Sequence, residues 1–131
     1  IEGIGYELRY SLDGIRKQLK RRDHIHKIRI SGGGAQSDEI CQIMADIFNL
    51  PVSRVQTHET SSLGAAIAGF LAAGEFKDPD EAVKAMVHEE KTFVPNPENV
   101  EIYEGLYQNA YKKLYPSLKD VYRYLYDFTA Q

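Results

Sequence analysis

The chain has 131 residues, 43% hydrophobic and 27% charged, with a formal net charge of −3. That balance suits one soluble globular domain over residues 1–131 and offers no general attraction to a nucleic acid. No apolar run reaches the roughly 20 residues that a membrane helix needs, and Cys41 is the single cysteine, so a reducing compartment, most simply the cytoplasm, is expected.

Ile1, Ile4, Leu8, Leu12, Ile15 and Leu19 recur every three or four residues, which predicts an amphipathic helix with that stripe on the core. No capping residue precedes Ile1, so the chain is expected to be a piece of a longer protein. Lys17, Lys20, Arg21 and Arg22 complement the negative end of the helix dipole. Ile28–Ser31 reads as a short strand. Gly32, Gly33 and Gly34 interrupt it, and Ile40, Ile43, Met44, Ile47 and Phe48 then form a second helical stripe, which Pro51 ends. Ser37 or Asp38 is placed to cap that helix. Val52–Gln56 reads as a second strand and Leu63–Ala73 as an alanine-rich helix closed by Gly74. A further helix starts at Asp78 or Pro79 and reaches about Val87. Asn96 and Pro97 open another, running to about Tyr115, and Pro116 is expected to break it before a last helix.

Helix, strand, glycine turn, helix, strand and helix in that order describe an α/β unit, which binds ligands where strands end at glycine turns. Glycines at such a turn accept positive φ and let a ligand approach bare backbone, while the N–H groups of the following helix start favour a polar or anionic guest. A phosphate-binding P-loop is excluded, because "GGGAQSDE" has no lysine. A dinucleotide fingerprint fits loosely: Ser37 stands where a glycine belongs, and Glu59 is only near the expected acid. Asp38 and Glu39 in the first helical turn would repel a triphosphate laid on them, so a nucleoside or an α-phosphate is the easier guest.

The remaining side chains read more plainly. "KQLKRRDHIHKIR" is a solvated helix end rather than a nucleic-acid patch. His24 and His26 lack a third metal ligand nearby, and His58 and His88 are surface residues. Asp23, Asp38 and Asp46 lie in no constellation that suits a catalytic base. Tyr103, Tyr107 and Tyr111 recur every four residues and read as a helix face packed on the domain.

"IRISGGGAQSDEICQIMADIFNLPV" followed by "HETSSLGAAIAGFLAAG" resembles the C-terminal domain of the FGGY family of carbohydrate kinases. "IEGIGYELRYSLDGI" is similar to the helix before that motif, and "YEGLYQNAYKKLYPSLKDVYRYL" to the terminal helices, so the likeness covers nearly the whole chain. The resemblance implies part of an actin-like ATPase (ribonuclease H-like) domain, helix-rich with a small sheet. It implies transfer of the γ-phosphate of ATP to a sugar or polyol hydroxyl, with a weak lean to a pentulose. On that resemblance the ATP-contacting residues are Gly32, Gly33, Gly34, Ala35 and Ser37, while Gly64, Ala65 and Ala66 let the next helix pack tightly behind them. The family's catalytic Asp segment, its N-terminal domain and most Mg2+ contacts have no counterpart in these residues, so the piece alone is expected to be inactive and to need that domain as partner, with self-association of bare surfaces plausible as a homodimer. The competing expectation is a non-catalytic glycine-turn module that binds a dinucleotide or serves in an assembly.

Overall fold

The computed structural model describes residues 1–18 and 25–130. Leu19, Lys20, Arg21, Arg22, Asp23 and His24 lie outside the described residues, and with them the last position of the predicted stripe, most of the basic helix end and one of the two histidines.

Three strands form one sheet in the order β1-β2-β3. β1 (Ile28–Ile30) pairs in parallel with β2 (Val52–Val55), Ile28 opposite Val52, and helix α2 (Asp38–Phe48) makes the crossover. The sequence dictates both ends of α2. Ser37 caps it by accepting the Ile40 N–H at 3.2 Å, and Asn49 leaves it in the left-handed region at φ 49°, just before Pro51. Its apolar face lies on the sheet, where Cys41, Met44, Ala45 and Phe48 meet Val52, Phe93 and Ala35 in the main core.

β3 (Glu89–Phe93) is a strand that the sequence pattern hides. It pairs antiparallel with β2, Val52 opposite Phe93 and Arg54 opposite Lys91. Its residues Glu89–Thr92 are exposed, and only Phe93 enters the core. Ion pairs take the place of apolar alternation: Lys27 reaches Glu89 at 2.6 Å, Arg29 reaches it at 3.3 Å and Arg54 meets Glu90 at 3.1 Å. A charged edge strand of this kind also resists pairing with other chains.

α1 (Glu2–Gln18) is helical as expected, but of the apolar stripe only Leu12 packs on the core, and the fully buried residues lie beside it. Gly5 and Tyr6 are buried, whereas Ile1, Ile4, Leu8 and Ile15 are exposed. Tyr6, Ile47 and Tyr107 form a second cluster that joins α1, α2 and the terminal helices, with Tyr103 and Tyr111 packed around it. The tyrosine face therefore does pack on the chain. Each phenol also donates to a carboxylate on α1: Tyr107 to Asp13 at 2.8 Å, Tyr103 to Glu2 at 3.1 Å and Tyr111 to Glu7. Arg9 adds a bond to the Ile47 carbonyl at 2.9 Å and an ion pair with Glu104.

α3 (Thr60–Ala72) and α4 (Pro79–Met86) follow β2. Gly64, Ala65 and Ala66 are exposed, so the tight packing expected of them is not made within the described residues; α3 buries no residue fully, and Leu63, Ile67 and Leu71 are half-buried. α5 (Pro97–Leu106) begins at Asn96, whose side chain accepts the Glu98 N–H at 3.1 Å. A π turn (Tyr107–Tyr111) leads directly into α6 (Lys112–Thr129), which runs through Pro116 instead of breaking there. Proline withdraws one donor from the ladder, but Lys113, Leu114, Leu118 and Lys119 around it are strong helix formers, and Ser117 supplies a hydroxyl to the Lys113 carbonyl at 2.8 Å.

Candidate functional site

The chain leaves β1 at Ile30 and turns at Gly32, whose φ of 90° is strained for any side-chain-bearing residue. Gly33–Gln36 then form one short 310 turn, closed by the Ala35 N–H on the Gly32 carbonyl at 3.1 Å and the Ser37 N–H on the Gly34 carbonyl at 3.4 Å. The five residues singled out from the sequence are thus contiguous in space, but they are not equivalent. Ala35 is 2% exposed, its methyl part of the core, its N–H bonded to the Gly32 carbonyl and its own carbonyl to Arg54. The Ser37 hydroxyl is committed at both ends, accepting from Ile40 and donating to Glu39 at 2.6 Å. That bond holds the Glu39 carboxyl below its usual range.

Gly33 and Gly34 are different. Neither has a left-handed φ, and a Cβ built on either would meet nothing within 4 Å. The chain's own conformation and packing therefore do not require glycine at these positions. As the first residues of the 310 turn, their N–H groups precede its ladder, and among the described residues no acceptor pairs with them.

Two shallow cavities flank the turn. One, about 220 Å³, is lined by Ala35, Gln36, Arg54, Gln56, Thr57 and His58. The other, about 230 Å³, lies between Ser31, Val55, Leu63, Gly64, Ile67 and Val87, where Thr60 donates to the Ser31 hydroxyl at 3.3 Å. Each falls below the roughly 300 Å³ at which a pocket begins to enclose a small ligand, so the site is open on this chain alone.

The residue that sequence reading missed is Arg54. On β2 it shares the face of Val52, and its guanidinium is only 15% exposed. Nη1 donates to the carbonyls of Ala35 at 3.0 Å and Gln36 at 3.2 Å and to Asp38 at 3.0 Å, while Nε meets Glu90 at 3.1 Å. Its one sequence signal is a cation at the inward position of an apolar strand, which demands partners. Asp38 also pairs with Lys91, the main cause of its lowered pKa, with Arg54 adding to it. Two cations therefore occupy that carboxylate. Asp46 is 1% exposed and accepts from Gln42 and Asn99, each at 2.9 Å, and from the Asn96 N–H at 2.7 Å. It anchors α5 to α2 and has no open side toward a substrate.

The family model for the C-terminal domain of the FGGY family of carbohydrate kinases matches residues 1–73, more than half of the chain. A xylulose kinase from Lactococcus lactis is 36% identical over 129 residues, covering 98% of this chain and 25% of that protein. Among solved structures, a gluconate kinase from Lactobacillus acidophilus superposes with a TM-score of 0.76 at 26% identity over 89% of this chain and 23% of its own. A ligand-bound xylulose kinase from the same organism gives 0.75 at 26% identity, over 90% and 23%. The chain belongs to the FGGY family of carbohydrate kinases, with the actin-like ATPase fold of that family represented here by its helix-rich part and small sheet. It spans about a quarter of the length of the relatives it matches.

Proposed function

We propose that this chain is the nucleotide-binding, C-terminal portion of a two-domain ATP-dependent sugar kinase, and that the turn Gly32–Ala35 with Ser37 seats the adenosine end of ATP. The observation that carries the reading is the pair Gly33 and Gly34: two glycines that the fold does not need, facing open space with unpaired amides beside them. Bare backbone there admits a ligand to van der Waals distance, and the amides suit the ribose or α-phosphate oxygens. Asp38 is held by two cations, so it is not a free carboxylate for Mg2+. The metal, which neutralises charge on the transferring phosphates, belongs mainly to the remainder of the protein.

Phosphoryl transfer requires the acceptor hydroxyl, the metal-bound phosphate and a base to be held in line. Among the described residues there is an adenosine seat and no such constellation, which supports inactivity of the piece by itself. An apolar groove of about 480 Å³ between α1 and the outer edge of β1, lined by Leu8, Leu12, Ile15, Ile28, Ile30 and Phe48, is the place we assign to the preceding part of the same protein. Relatives named xylulose kinase support a pentulose as acceptor, ahead of glycerol.

A coupled assay of the full-length protein with ATP and a panel of xylulose, gluconate and glycerol tests the activity. Calorimetry with ATP, ADP and NAD tests the seat. Turnover of xylulose and selective adenine nucleotide binding are expected. NAD binding without phosphorylation of any sugar would instead make the turn a dinucleotide module.

A further inference from the structure

Resting on the nucleotide reading above, we infer that Arg54 is a positioning residue for the nucleotide: it grips the C-terminal end of the glycine turn so that the opposite end, with the amides of Gly33 and Gly34, is held toward the ligand. In a 310 turn the free N–H groups gather at the start and the free carbonyls at the end. The end carbonyls here are those of Ala35 and Gln36, and a single Arg54 nitrogen donates to both, at 3.0 and 3.2 Å. The same nitrogen bonds Asp38 at the start of α2, and the other side of the guanidinium clamps Glu90 on β3 at 3.1 and 3.4 Å. One planar group therefore ties turn, helix start and two strands together. A cation at the carbonyl end also complements the dipole of the turn.

Among the described residues, nothing else restrains the turn so well. Gly33 and Gly34 carry no side chain, and the Ala35 carbonyl has one further contact, the Cys41 thiol at 3.4 Å. Three successive glycines without an external anchor would sample many conformations, and the ordering cost would fall on nucleotide binding. Arginine suits this task and lysine does not, because a single ammonium cannot span two carbonyls, Asp38 and Glu90 at once.

The test uses the full-length protein and MgADP calorimetry, with ATP kinetics beside it. Arg54→Ala is expected to weaken MgADP about 10-fold or more, the scale of losing hydrogen bonds from a charged donor. The KM for ATP should rise in step, with the KM for the sugar within about twofold. Arg54→Lys should fall between wild type and Arg54→Ala, and it stands in if the alanine variant fails to fold. Glu90→Ala keeps the carbonyl contacts and should weaken MgADP less than Arg54→Lys does. Hydrogen exchange gives a second readout. In Arg54→Lys it should rise at Ala35 and Ser37, whose amides close the turn, and stay unchanged in α2 and β2; a uniform rise through β2 and β3 would make Arg54 a fold residue only. Unchanged MgADP affinity in Arg54→Lys overturns the inference. Gly34→Val separates the two claims: if it weakens MgADP while the Arg54 variants do not, only the positioning role fails, and if neither does, the nucleotide reading fails with it.

Discussion

Asp46 offers the sharpest test of how the terminal helices are held. Its carboxylate is 1% exposed and accepts three hydrogen bonds from three different groups. Replacing it with alanine strands the Asn96 N–H and the Asn99 amide. Gln42 keeps its second partner, the Val94 carbonyl at 2.8 Å, and loses little. Two stranded, partly buried donors at about 1–3 kcal/mol each give a central expectation of about 3 kcal/mol, allowing for overlap between them. Removing a negative charge from the start of α5 adds a few tenths more. The loss should be local, so hydrogen exchange over 96–106 in the full-length protein is the assay. A cost of about 3 kcal/mol speeds exchange there roughly 100-fold. Asp46→Asn retains one acceptor and should cost about half as much. If Asp46→Ala leaves exchange over 96–106 within threefold of wild type, the anchoring role is wrong. Equal costs for Asn and Ala would show that charge, and not the count of acceptors, holds the helix.

Three further outcomes follow from other parts of the chain. Gly5→Val should destabilise the α1–α2 contact by about 1–3 kcal/mol through overpacking, because even a Cβ would lie 2.7 Å from Ile47 Cδ1; Gly3→Val, with nothing within 4 Å, is the matched control, and equal effects in thermal melts would refute the close-packing account. Burial, with Asp13 adding to it, raises the Tyr107 phenol pKa, and the bond to Glu7 pushes Tyr111 up to about 12. Both phenols thus titrate higher folded than unfolded, so their contribution is complete below about pH 10; the Tyr111 part is lost as pH rises through about 12 and the Tyr107 part higher still. Spectroscopic titration should show Tyr6, Tyr103, Tyr107 and Tyr111 ionising late, the last two latest, together with loosening of α5, and ordinary titration of all nine tyrosines would contradict it. Gly33→Ala and Gly34→Ala should leave the free protein's melting temperature unchanged or slightly higher, because the backbone accepts alanine and open space receives its methyl, while MgADP affinity falls; a loss of stability without a loss of affinity would reverse the assignment.

Much of this was legible because it is local. Ser37 and Pro51 bracket α2, Asn96 and Pro97 open α5, and the glycines mark where β1 gives way to a turn. Each of those signals acts within a few residues of itself. What the sequence hid depends on distant partners. β3 has no apolar alternation because Lys27, Arg29 and Arg54 satisfy it from other strands and loops. Arg54 is ordinary as a letter and becomes distinctive only when the turn's carbonyls arrive beside it. Pro116 looks like a stop, yet helix formers on both sides outweigh one lost bond.

The mismatches point in one direction. Ile1, Ile4, Leu8 and Ile15 make a regular stripe that this chain leaves in water, and Gly64, Ala65 and Ala66 are small where nothing presses on them. Gly33 and Gly34 are bare where no conformation demands it. An apolar stripe costs solubility and a glycine costs backbone entropy, so neither is explained by the stability of the residues described. Each becomes intelligible if other matter meets it: protein against the stripe and the small-residue helix, nucleotide against the turn. The two clefts of about 220 and 230 Å³ on either side of the turn fit the same argument, since walls supplied by a second lobe would deepen both and exclude water from them. Affinity of the isolated chain for ADP should then be far weaker than that of the full-length protein. Equal affinity would mean that the turn alone is a complete site.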